Sequence, residues 1–133
     1  MTADTIDPAK TRARTVIIVD DDPAVLNSLQ FALEIEDFVV LVYATGEEFL
    51  EAEIPAKGCL VLDYNMPGLN GLQLLDRMRA RGHDLLAILI TSNPSPITRQ
   101  RAALAGVVII EKPLLGNTLS DAIRESLEND PRR

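Results

Sequence analysis

Cysteine and histidine are nearly missing from this chain: one of each stands among 133 residues. The lone Cys59 cannot close an internal disulfide, which points to the cytoplasm. Apolar runs such as Leu85–Ile90 fall far short of the roughly 20 residues of a transmembrane helix, so membrane insertion is not expected. Met1–Arg14 lacks the apolar stretch of a secretory signal. Positive charge is in deficit, with 13 Lys and Arg against 20 Asp and Glu and a net charge of −7. Nucleic acid and anionic lipid need a basic surface that displaces counterions, so neither is expected as a direct partner. Proteins or a cation fit better. At 133 residues there is room for one core and no output domain.

Residues 1–14 carry mixed charge without apolar periodicity and read as a flexible leader. From Thr15 to about residue 130, strand-like and helix-like segments alternate. Strands are expected at 15–20, 38–42, 58–63, 86–91 and 107–110, and helices at 23–36, 46–52, 71–81, 97–105 and 116–129. Val25, Leu29, Ala32 and Leu33 mark one face of the first helix; Leu119, Ile123 and Leu127 mark the last. Pro23 suits a first helical position, and Gly82 and Gly106 suit helix ends. The strand runs are continuously apolar, as when helices cover both faces of a parallel sheet. The expected fold is α/β: a flavodoxin-like (βα)5 doubly wound sandwich around a five-stranded parallel sheet of order 2-1-3-4-5.

Four of the five apolar runs end in polar groups suited to phosphoryl chemistry. Val16–Val19 leads to Asp20-Asp21-Asp22, Leu60–Leu62 to Asp63, Leu85–Ile90 to Thr91-Ser92, and Val107–Ile110 to Glu111-Lys112. Carboxyl ends of parallel strands open onto one edge, where ligands bind. In the expected order, strands 1 and 3 are neighbours, so their carboxylates face each other. Anionic groups held that close need a proton or a cation, and hard Mg²⁺ takes oxygen ligands. Asp22 reads instead as a helix N-cap. Asp63 opens a loop with Pro67, Gly68 and Gly71 that turns sharply and leaves the carboxylate accessible. With Thr91 as hydroxyl and Lys112 as ammonium, the set suffices to attack phosphorus and stabilise the charge that develops.

Four segments in order carry a family likeness: Val19-Asp20-Asp21-Asp22, Asp63-x-x-Met66-Pro67-Gly68-x-x-Gly71, Thr91-Ser92 and Lys112-Pro113. The chain resembles the receiver domain of two-component response regulators over about residues 15–130. The resemblance implies that Asp63 accepts a phosphoryl group from a histidine kinase or histidine phosphotransfer protein. It implies that Asp21, Asp63 and the backbone carbonyl of Asn65 bind Mg²⁺, that Asp20 holds it through water, and that Thr91 and Lys112 contact the phosphoryl oxygens. It further implies a cis Lys112–Pro113 bond and a protein-binding surface that changes on phosphorylation, the downstream target being unknown and a homodimer open.

The chain departs from the family at Ile109, where a Tyr or Phe is usual, and at Pro94 and Pro96, which stiffen the segment after the fourth strand. Rival readings are a phosphate shuttle or sink, a receiver cut from a larger DNA-binding regulator, and an aspartyl phosphatase. The last is disfavoured because Asn65 stands where phosphatases of the haloacid dehalogenase type need a second carboxylate. The expected role is thus a phosphoacceptor, not an enzyme acting on external substrates. His83 reads as a solvated turn residue, Cys59 as a small buried hydrophobe, and Arg99 and Arg101 as a solvated helix face; Glu111 is either a surface charge or a support for Lys112.

Overall fold

The computed structural model describes residues 14–130. Strands β1 (Thr15–Val19), β2 (Val39–Tyr43), β3 (Cys59–Asp63), β4 (Leu86–Thr91) and β5 (Val108–Glu111) alternate with helices α1 (Pro23–Ile35), α2 (Gly46–Glu51), α3 (Gly71–Ala80), α4 (Pro96–Leu104) and α5 (Thr118–Glu128). The strands form one sheet in the order β2-β1-β3-β4-β5, all neighbours parallel. This is the expected architecture, with boundaries displaced by one or two residues. Of the expected leader, residues 1–14, all but Arg14 lie outside the described residues.

The sheet is apolar on both faces because successive side chains point to opposite sides. Ile17, Val19, Leu60, Leu62 and Leu89 face one core, closed by Phe49 and Leu50 of α2, Leu74, Leu75 and Met78 of α3 and Ala102 of α4. Val16, Ile18, Val61, Ile88 and Ile90 face the other, closed by Leu26 and Leu33 of α1 and Leu119 and Ile123 of α5. Each fully buried aliphatic side chain contributes about 1.5–3 kcal/mol, so these two layers hold the strand ends rigidly in place.

The stripe on α1 needs correction. Leu26 and Leu33 are its buried centre, whereas Ala32 is exposed and Val25 only half-buried. Positions 25 and 32 lie about 100° round the helix from 26 and 33. The remaining helix signals hold. Asp22 Oδ1 accepts from the Ala24 and Val25 N–H groups at 2.9 and 3.4 Å, with Pro23 at the first helical position. Gly82 and Gly106 have positive φ after α3 and α4. Helix α5 starts at Thr118, later than expected, after the positive-φ Gly116.

Arg14 belongs to the ordered domain rather than to the leader. Its guanidinium donates to the carbonyls of Asp37 at 3.0 Å and Glu36 at 2.6 Å and lies 4.6 Å from the Phe38 ring centre. Arg124 of α5 also covers Phe38 and pairs with Glu36, and this guanidinium holds the Glu36 carboxyl below its usual range. The entry to β1 is thereby tied to α1 and α5.

Candidate functional site

The β1 and β3 tips bring three carboxylates together. One oxygen from each of Asp20, Asp21 and Asp63 lies within 4.8 Å of the others, because β1 and β3 pair directly, Val19 opposite Leu62. Asp20 and Asp63 are buried, 3% and 5% exposed, while Asp21 is open to solvent. Asp20 is held from both ends: its N–H donates to the Tyr43 carbonyl at 3.2 Å, and its Oδ1 accepts from the Asp22 N–H at 2.9 Å. The burial that this geometry enforces is the main reason its carboxyl is pushed above the usual range. The Asp22 N–H pulls it back, Asp63 raises it further, and Lys112 opposes that rise.

Lys112 reaches in from the end of β5, its Nζ 3.4 Å from Asp63 Oδ1, and its backbone N–H donates to the Thr91 carbonyl at 2.9 Å. The same Oδ1 accepts from the Asn65 N–H at 3.2 Å. Among the described residues, Asp63 Oδ2 accepts no hydrogen bond. Thr91 ends β4, 1% exposed, one residue beyond Ile90, the strand partner of Asp63. The peptide bond between Lys112 and Pro113 is cis. Asp20, Asp21, Asp63 and Lys112 thus converge, with the Asn65 backbone beside them and Thr91 on the adjoining strand tip.

Three carboxylates against one ammonium leave an excess of negative charge in a half-dry pocket. Close, hard oxygen donors of this kind suit a hard divalent cation with open positions. A proton on Asp20 meets the same need. Its folded-state pKa lies above the unfolded value, so its favourable contribution is complete below the unfolded pKa and is lost as pH rises through the folded one. Without added metal, Asp20→Asn is therefore expected to be more stable than wild type at neutral pH and to lose that advantage in acid. Denaturant midpoints across the pH range check this; a deficit at neutral pH would contradict it.

Other polar residues fall outside the site. Glu111 faces α4, its Oε2 3.2 Å from Arg99 Nη2, both side chains about half exposed, so it is a surface charge. His83 is half-buried in the turn after α3, its N–H donating to Met78 O at 3.3 Å. Cys59 is fully buried, and desolvation pushes its thiol up to about 12, which keeps it inert. Sequence reasoning missed Tyr64, Ser95 and Thr98, which bridge the Asp63 loop and α4; only the position of Tyr64, next to Asp63, signalled one of them.

A family model for the response regulator receiver domain matches residues 16–124. The chain belongs to that family. The receiver is 36% identical over 114 residues to the transcriptional regulatory protein FixJ of Azorhizobium caulinodans, an alignment covering 84% of this chain and 54% of FixJ. Among solved structures, a CheY-like receiver domain protein from Methanospirillum hungatei JF-1 superposes with a TM-score of 0.78 at 29% identity, covering 86% of this chain and 94% of that one. A structure of FixJ-N gives a TM-score of 0.76 at 31% identity, covering 87% and 94%. The receiver spans about half the length of the curated relatives it matches. Membership places it in phosphorylation-dependent two-component signalling. No described helix is long and apolar enough to cross a membrane.

Proposed function

We propose that Asp63 is the phosphoacceptor of this receiver and that its donor is the phosphohistidine of a sensor kinase or of a histidine phosphotransfer protein. The observation that carries the reading is the Asp63 carboxylate itself: one oxygen is held by Lys112 and Asn65, and the other is left without a described partner. That free Oδ2 attacks phosphorus in line. The new O–P bond forms as the N–P bond breaks, and the imidazole leaves with the electron pair. Lys112 balances the charge on the equatorial oxygens, and the Thr91 hydroxyl donates to one of them.

Mg²⁺ fits the acidic pocket, with Asp21, Asp63 and the Asn65 carbonyl as ligands and Asp20 acting through water; when bound, it neutralises phosphoryl charge and carboxylate repulsion alike. Asn65 offers no acid or base two residues beyond the nucleophile, which supports a phosphoacceptor with self-directed phosphotransfer and autodephosphorylation over a phosphatase of external substrates. The product is an acyl phosphate that alters a protein-binding surface. Acetyl phosphate is expected to add one acid-labile, hydroxylamine-sensitive phosphoryl group to wild type only with Mg²⁺ present, and none to Asp63→Asn, as read by intact mass. Undiminished labelling of the variant would overturn the assignment.

One finding favours a second reading, in which the receiver serves a longer transcriptional regulator. The relatives it matches are regulatory proteins about twice the aligned length. An antibody against the receiver distinguishes the two by the mass of the product it detects in the source cells.

A further inference from the structure

A phosphoryl group on Asp63 acts on partners only if something carries the change outward, and Ile109 is poorly suited to do so. It is half-buried against the core, with a stiff β-branched side chain that gains mainly by burial. Tyr64 is better placed. Its backbone is fixed, the N–H donating to Ile90 O at 2.9 Å and the C=O accepting from Gly71 N–H at 3.2 Å, so its freedom lies in the side chain. The ring lines a cleft of about 440 Å³ between α3 and α4, together with Leu72, Asp76, Arg101 and Leu104.

The Tyr64 hydroxyl ends a short relay. Ser95 Oγ caps α4 by accepting from the Thr98 N–H at 3.1 Å and donates its own proton to Thr98 Oγ1 at 3.0 Å. Thr98 Oγ1 in turn donates to Tyr64 Oη at 3.5 Å, the outer limit of a hydrogen bond. Thr98 is buried, so this proton has no ready substitute in water. Helix α4 is otherwise lightly held: only Thr98 and Ala102 of its nine residues are buried, while Ile97 and Leu104 are exposed. An element with so little buried surface is the kind that moves. Pro94 and Pro96 flank Ser95, and their fixed φ angles let a shift at Thr91 pass along the segment instead of being absorbed.

We propose that Tyr64 is a positioning residue that couples Asp63 to α4. When Thr91 turns to a phosphoryl group on Asp63, the 92–97 segment moves, the Thr98–Tyr64 contact opens, and the first turn of α4 and the wall of the cleft rearrange while β5 stays in place. This rests on the phosphoacceptor reading of Asp63.

Hydrogen exchange of the whole chain, with and without beryllofluoride and Mg²⁺, tests it beside a parallel measurement of acetyl phosphate incorporation. Wild type should change exchange in 92–99 and little in 107–110. Tyr64→Phe should start with the faster 92–99 exchange of an opened contact and lose most of the response, while incorporating phosphoryl normally. Thr98→Val, which removes the same proton from the other side, should behave alike and stands in if Tyr64→Phe folds poorly. A wild-type-like response of 92–99 in both variants, or a wild-type change centred on 107–110, would overturn the coupling. Absence of incorporation in wild type would instead overturn the phosphoacceptor reading, and the coupling with it.

Discussion

Lys112→Ala is expected to keep the far-UV circular dichroism of the wild type and to lose its conformational response to beryllofluoride. The lysine side chain is 34% exposed and bonds Asp63 at 3.4 Å, so the screened pair contributes only about 1 kcal/mol to folding. That is small against the roughly 5–15 kcal/mol stability of a domain. Its role in the proposed phosphorylated state is expected to be larger. An acyl phosphate brings further negative charge to a pocket that already holds Asp20 and Asp21, and the ammonium of Lys112 is the cation seen beside Asp63. Circular dichroism and hydrogen exchange on the same sample check both halves. An unfolded variant would make the lysine structural, and an unchanged response would remove it from the site.

The second large effect is on folding. Gly71→Val is expected to destabilise the receiver by about 3 kcal/mol, lowering the denaturant midpoint. A Cβ at position 71 would come within 2.6 Å of Leu89 Cδ1 and 3.0 Å of the Asp63 carbonyl oxygen. Leu89 is fully buried and cannot swing aside, and the carbonyl belongs to the β3 tip that carries the Asp63 carboxylate. Leaving glycine at a helical position gains less than about 1 kcal/mol, so the clash wins. A midpoint equal to that of wild type would show that the β3–α3 turn is softer than this packing implies.

The same contact shows which parts of the molecule the sequence discloses. Continuous apolar runs ending in Asp20, Asp63, Thr91 and Lys112 reveal the strands and the shared edge, since a parallel sheet leaves few ways to arrange them. The helix caps at Asp22 and the glycines after α3 and α4 are local and equally legible. The buried side of α1 is less so, because a helix with apolar residues at 25, 26, 29, 32 and 33 has two neighbouring stripes. Packing against the sheet chose Leu26 and Leu33. Glu111 could not be assigned from its neighbour Lys112, because its partner is Arg99 on another element. Long-range side-chain bonds are the least visible. Arg79 reaches Ala105 O, Arg81 reaches Leu50 O, and Thr98 meets Tyr64 across 34 residues, none of which leaves a periodic or local trace.

The identity of the residue that bears the phosphoryl group is the point on which the account turns. Borohydride reduces an acyl phosphate to an alcohol, converting a phosphorylated aspartate to homoserine, and peptide sequencing by mass spectrometry then reads the position. Wild type treated with acetyl phosphate and Mg²⁺ and then reduced should carry homoserine at position 63 and retain aspartate at positions 20, 21 and 22. Homoserine at any of those three, or at no position, would contradict the account.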